Sequence, residues 1–400
     1  AMKKLTFISI LTGILMFSIS CEKVTEIEGP ELEHGQIVTV TITSVDPNIG
    51  AKQAKVYLPP DYDANRSPGY PVIYMLHGYG GDYTFWQGVE DIKDIADYLI
   101  STGQMEPMII VMPDGKNALG GSFYTNSEYL PLYPSVFGRY EDYIVNEVVS
   151  YIDANYNTIP DRDHRGILGI SMGGYGACKL AFKHPDVFGA AAIHSGPVAF
   201  EQFLATIPFV NLNLLDLVKQ EWADFGGRIP SNVRDYLGED RPLSTMLFAM
   251  AGAFTPKIDS LGGFDTLKHE FALDTVPGTG GTLWAGVRLP FDTSYNIIDS
   301  LWNVWLTEHD PLTILKNNLT TIQNSGLAIY IDVGQDDELF LQPHAYAMHS
   351  YLEQANYTHE YETFTEYPGY PEDKFPAGHG THLYLRVKKS LEFMSRVIGD

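Results

Sequence analysis

A serine set between glycines is the first place where this chain could do chemistry. The string Gly169-Ile170-Ser171-Met172-Gly173 closes an apolar run and leads through Gly174-Tyr175-Gly176 into a helical pattern. A hydroxyl on a sharp strand-to-helix turn needs small neighbours two residues to either side, because backbone crowds the turn there. Such a hydroxyl is a weak nucleophile until a histidine accepts its proton, and that histidine needs a carboxylate to fix its tautomer. The turn type brings its partners in the chain order serine, acid, histidine. Ser171 is the expected nucleophile.

Two carboxylates compete for the acid. The last long apolar run, 327–333, delivers Gly334-Gln335-Asp336-Asp337-Glu338 at its end. Asp337 is preferred, with Asp336 as a loop or helix-cap residue. Of the twelve histidines, His344, His349, His359, His379 and His382 follow the acid. His379 sits in the loop Pro376-Ala377-Gly378-His379-Gly380, ahead of an amphipathic final helix, and is preferred to His382 as the base. His344 and His349 fall in a predicted helix and read as surface or structural residues.

Attack on a carbonyl also needs donors for the developing oxyanion, each worth ~3 kcal/mol of barrier. The backbone N–H of Met172 is one. Tyr79 supplies the other from Leu76-His77-Gly78-Tyr79-Gly80-Gly81, with Gly80 as the alternative and His77 as a brace for the loop. Glu308-His309-Asp310, just before Pro311, reads as a helix start, and His379-x-x-His382 lacks the glutamate and helix register of a zinc protease motif. No metal or cofactor is implied. Cys178 reads as a small buried side chain.

These residues need a scaffold, and the hydrophobic pattern describes one. Segments 37–43 and 52–58 alternate as an opening antiparallel hairpin. Continuous apolar runs at 72–76, 108–112, 166–170, 190–193 and 327–333 predict parallel strands buried on both faces. Helical stretches at 91–101, 140–155, 172–183 and 345–354 fall between them. The alternation predicts a doubly wound α/β sheet with helices on both faces. Residues 198–308 break the rhythm and are expected to form a lid or cap insertion. That stretch holds Trp222, Trp284, Trp302 and Trp305, expected to form the insertion's own core.

Upstream, Lys3 and Lys4 precede an apolar run at 5–16, and small residues lead to Cys21. This is the layout of a secretory signal over 1–21, of the kind that ends in a lipidated cysteine. Localisation at a bacterial cell envelope, or secretion, is expected, with membrane contact only through a lipid at Cys21. Residues 22–36 read as a flexible acidic tether, and 37–400 as the catalytic domain. A formal charge of −24 and a pI near 4.7 make nucleic acid a poor partner.

The run Val56-Tyr57-Leu58-Pro59-Pro60-Asp61-Tyr62, the strand and loop 70–78, Gly169 to Gly176, Gly334 to Asp337 and Gly378-His379-Gly380 together resemble the esterase D and feruloyl-esterase-like family of carbohydrate esterases. That group includes S-formylglutathione hydrolases, acetyl xylan esterases and mycolyltransferases. The resemblance implies an α/β-hydrolase fold and a serine carboxylic-ester hydrolase working through an acyl-serine intermediate, on feruloyl or acetyl esters of plant polysaccharide. It supports Asp337, three residues after a glycine, and His379, in a Gly-His loop. The insertion departs from small family members. Acyl transfer to a sugar or lipid alcohol, and a surface glycan-binding protein without activity, are the competing readings.

Overall fold

Apolar runs with no polar face become strands covered on both sides, and they set the architecture. In the computed structural model the strands are β1 (Gln36–Thr43), β2 (Ala51–Leu58), β3 (Val72–Leu76), β4 (Ile109–Pro113), β5 (Arg165–Ile170), β6 (Ala190–His194), β7 (Pro256–Lys257), β8 (Glu270–Leu273), β9 (Ala285–Arg288), β10 (Ala328–Gly334) and β11 (Glu360–Phe364). The structure describes residues 33–399 except 90, 118, 128–137, 208–210, 231–239, 258–269, 274–284, 293 and 366–376. The signal, Cys21, the tether up to residue 32 and Trp284 lie outside the described residues.

Eight strands form one sheet in the order β1-β2-β4-β3-β5-β6-β10-β11. β2 runs antiparallel to β1 and β4, and every other neighbouring pair is parallel. The chain leaves β3 for β4 on one side and returns to β5 on the other, so the ends of β3 and β5 open on a crevice. Ligand sites of open α/β sheets form at such a reversal of strand order. Helices Ile92–Ser101 and Leu383–Ile398 pack on one face, and Met172–Lys183, Pro311–Ser325 and Gln342–Gln354 on the other. This is the doubly wound sheet that the apolar runs predict.

Local differences have physical causes. The expected helix over 140–155 includes a π-helical turn at Tyr143–Val148. β11 is an edge strand, Glu360-Tyr361-Glu362-Thr363-Phe364, whose half-exposed charged pattern carries no buried-run signal. The start of β1 is anchored, because Gly35 N–H donates to buried Asp97 at 2.9 Å and the Tyr57 hydroxyl donates to the same carboxylate at 2.8 Å.

The described tryptophans of the 198–308 stretch do not form a core of their own. Trp222 and Trp305 are fully buried in the same cluster as Tyr175 of the helix Met172–Lys183. Phe254 joins the two sides, with ring centroids 5.6 Å from Tyr175 and 5.2 Å from Trp305. A segment rich in large rings buries more apolar area against the sheet's helices than it could within itself, which explains the merger. Asp310 caps the helix Pro311–Ser325, accepting from Thr313 N–H at 3.1 Å. Among the described residues no helix is long and apolar enough to cross a membrane.

Candidate active site

Ser171 stands between β5 and the helix Met172–Lys183 with φ 57° and ψ −119°. A non-glycine residue there costs about 1–3 kcal/mol and persists only where its surroundings fix it. Here Ser171 N–H donates to the His194 carbonyl at 2.9 Å, and Tyr175 N–H donates to the Ser171 carbonyl at 2.9 Å. The flanking glycines are sterically required. A Cβ on Gly169 would lie 2.4 Å from the Gly173 carbonyl carbon, and one on Gly173 would lie 2.1 Å from the Leu76 carbonyl oxygen.

The loop after β3 passes directly beside this turn, since a Cβ on Gly78 would sit 3.6 Å from Ser171 Cβ. His77 braces the loop. Its Nε2 accepts from Gly115 N–H at 2.9 Å, which leaves Nδ1–H to donate to the Gly78 carbonyl at 2.8 Å. Gly80 N–H is spent on the Gly120 carbonyl at 3.0 Å, so of the two residues considered for the loop's donor Tyr79 is the one whose N–H stays uncommitted. Met172 is the first residue of its helix, and its N–H has no intrahelical acceptor.

Asp337 and Asp336 part company on burial: Asp337 is 1 % exposed and Asp336 faces solvent. Asp337 Oδ2 meets His379 Nδ1 at 2.9 Å, while Oδ1 accepts from Leu339 N–H at 2.9 Å. Burial alone would raise the Asp337 pKa, but the His379 charge and the hydrogen bonds bring it below the usual carboxylate value. Burial likewise disfavours the His379 imidazolium, and the facing carboxylate outweighs it and raises that pKa. Glu338 holds His379 N–H at 2.8 Å, so the loop is pinned on a second side. Gly334 permits this closure, because a Cβ there would be 2.0 Å from the Ala377 carbonyl oxygen. His382 instead takes a left-handed conformation, φ 50°, at the start of the final helix. The structure brings His379 to Asp337 but closes no hydrogen bond between His379 and Ser171 Oγ, a contact that often tightens only around substrate.

Behind this pair lies a cluster that the sequence did not reveal. Fully buried Arg386 donates to the His379 carbonyl at 2.8 Å, to Ser195 Oγ at 2.9 Å and to Asp332 Oδ1 at 2.9 Å. Ser195 also helps to lower the Asp337 pKa. Asp332 Oδ2 meets His194 Nδ1 at 2.7 Å, and His194 Nε2 meets Ser390 Oγ at 3.0 Å. Burial would raise the Asp332 pKa, yet Arg386 and His194 hold it down at about 2. A charge inside the apolar run Ile329-Tyr330-Ile331-Asp332-Val333 was the available signal, since a buried carboxylate demands a buried partner.

Ser171, Met172 and Tyr79 line one cleft together with Phe203, Leu214 and Met246, which belong to the 198–308 stretch. The cleft is apolar and small, about 10 Å³, which is room for roughly one water-sized group. Phe203, Leu214 and Leu339 also line a neighbouring cavity of about 190 Å³. None of the described tryptophans lines either space.

Residues 50–386 match the model of the Esterase family, described as "Putative esterase". An esterase of Mycobacterium tuberculosis is 38% identical over 168 residues, covering 40% of this chain and 33% of that protein. An endo-1,4-beta-xylanase/feruloyl esterase of Xylanibacter ruminicola is 32% identical over 170 residues, covering 42% of this chain and 22% of that protein. The matched regions thus span about a third or less of these curated relatives. Among solved structures a ferulic acid esterase superposes with a TM-score of 0.53 at 19% identity, over 91% of this chain and 99% of that one. That likeness speaks for the fold, and the sheet order agrees with it. This chain belongs to the Esterase family of putative esterases and carries an α/β-hydrolase fold.

Proposed function

We propose that the protein hydrolyses carboxylic esters through an acyl intermediate on Ser171. The observation that carries the reading is the Asp337–His379 pair at 2.9 Å, which commits Nδ1 and leaves Nε2 as the nitrogen able to take a proton. In the proposed cycle Nε2 accepts the Ser171 proton as Oγ bonds the substrate carbonyl carbon. The oxyanion rests on the N–H groups of Tyr79 and Met172. The bond to the leaving alkoxide breaks as His379 returns the proton to it. Water then attacks the acyl-serine with the same base, releasing the acid and restoring Ser171.

The size of the cleft favours short acyl groups, since a water-sized space holds an acetyl methyl and not a phenyl ring. Acetyl esters are the class this supports, and the likeness to an endo-1,4-beta-xylanase/feruloyl esterase favours plant polysaccharide as their carrier. A second reading, feruloyl esters, is favoured by the neighbouring cavity of about 190 Å³, which a shift of Phe203, Leu214 and Leu339 would join to the cleft. The basic and apolar lead to Cys21 further supports a lipid tether at a bacterial envelope; a Cys21→Ser chain that still fractionates with membranes would remove that idea.

The test pairs a fluorophosphonate probe with an ester panel. Labelling is expected at Ser171, together with turnover of acetyl esters well above that of feruloyl esters. No labelling of folded protein would end the acyl-serine reading. Equal or better turnover of feruloyl esters would replace the short-acyl assignment while leaving the mechanism in place.

A further inference from the structure

At the opposite end of β11 from the Gly334 loop, three ligand-type side chains converge with no role in the proposed ester chemistry. His349 and Glu353 are one turn apart on the helix Gln342–Gln354, and His359 lies just ahead of β11. One ligand atom from each lies within 4.8 Å of the others. His359 Nδ1 contacts the Tyr357 carbonyl at 2.8 Å. A carbonyl only accepts, so Nδ1 carries the proton and Nε2 presents a lone pair. A ring nitrogen committed to a backbone carbonyl is how metal-binding histidines are usually oriented.

That lone pair points at His349 Nδ1, 2.8 Å away. The His349 ring is itself fixed, stacked on Tyr361 at 4.2 Å with an interplanar angle of 11°. A change of tautomer lets His349 Nδ1 offer a lone pair of its own. Glu353 is exposed, and its carboxylate makes no hydrogen bond among the described residues.

We propose that His349, Glu353 and His359 form a binding site for a late first-row divalent cation of the zinc class, clipping the helix Gln342–Gln354 to the head of β11. Two imidazoles and a carboxylate suit that class, whereas magnesium and calcium take oxygen ligands. Tetrahedral nitrogen ligands about 2.0–2.1 Å from zinc stand roughly 3.3 Å apart. The two rings therefore need to separate by only about half an ångström from their present contact, and the exposed side leaves a fourth position for water. The site is structural: it ties the helix to a strand whose only neighbour in the sheet is β10.

The test uses the metal-stripped full chain, titrated with zinc chloride by calorimetry and melted with and without zinc. One zinc per chain and a zinc-dependent rise in Tm are expected, because an ion that binds only the folded state stabilises it. His349→Phe keeps a ring over Tyr361 and removes both nitrogens. Glu353→Gln changes one exposed group and carries the test if the first variant folds poorly. Each should weaken zinc binding by about tenfold or more and diminish the rise in Tm, with melting in the absence of zinc near that of the parent. Parent-like zinc affinity in the folded variants, or no zinc binding by the parent chain, would overturn the site.

Discussion

Two histidines in this molecule meet an aspartate carried by or just beyond β10, and only one of the pairs lies beside the cleft. Asp337, bonded to His379, accepts from the N–H of Leu339, which lines the cleft, while His194, Asp332 and Ser390 repeat the Ser-His-Asp hydrogen-bond pattern deep in the interior, all three with no exposed surface. The inner set has good distances, yet it faces no cleft. Its serine lies within the regular helix Leu383–Ile398 rather than on a strained turn, and Arg386 occupies its carboxylate. The cleft that Leu339 lines also holds Ser171, with φ 57°, and Tyr79 and Met172, whose N–H groups have no acceptor among the described residues. Hydrogen bonding alone does not single out the proposed catalytic set; access, backbone strain and free N–H donors separate the two.

The sharpest way to break this contrast is to remove each serine. Ser171→Ala should lose ~10⁴-fold or more in turnover, whereas Ser390→Ala should keep near-parent turnover and cost about 1 kcal/mol of stability through the lost bond to His194. Steady-state kinetics and melting curves on both variants decide it, and an inactive but stable Ser390→Ala protein would erase the distinction.

Substitution of the aspartates should split activity from stability. Asp337→Asn is expected to cost ~10⁴-fold in turnover with folding retained, and solvent-facing Asp336→Asn less than about tenfold. Asp332→Asn leaves Arg386 buried without its counter-charge and should destabilise by about 3–5 kcal/mol. The pH dependence has a definite sign. The folded pKa of Asp332, about 2, lies below the ordinary 3.8, so its contribution is complete above the ordinary value and is lost as pH falls towards 2. Denaturant melts from neutral to acid pH should show a shallower acid loss in Asp332→Asn; an unchanged slope would count against the assignment.

The smallest effect is a displaced limb. Asp337 raises the His379 pKa above its ordinary 6.5, so kcat/KM should fall as pH drops through a value above 6.5, where the ring gains a proton and ceases to be a base. In Asp337→Asn burial is left to dominate, and the residual activity should show its acidic limb at lower pH. A limb that stays where it was would mean another group controls it.

Much of this was legible in the residues because burial leaves a strong pattern. Strands covered on both faces write continuous apolar runs, and the tight passage of Leu76 beside Gly173 writes glycines around Ser171, so sheet and turn could both be read. Asp336 and Asp337 could not be separated by spacing, since which of two adjacent loop carboxylates turns inward depends on Leu339, Ser195 and His379 arriving from elsewhere. Edge strand β11 escaped because one partner and one wet face leave no apolar run. Arg386 escaped for the opposite reason: on an amphipathic helix a guanidinium reads as solvent-facing, and only the folded chain shows it turned inward onto Asp332.

Arg386 also orders events in time. The turn at Ser171 and the loop at Tyr79 are built from residues no later than His194, and a ribosome will have delivered them when barely half the chain exists. His379, by contrast, is clamped through its carbonyl by a residue of the final helix. Under the proposed mechanism, a chain that lacks the helix Leu383–Ile398 would therefore keep the Ser171 turn and the Tyr79 loop but lose the clamp on the carbonyl of its base.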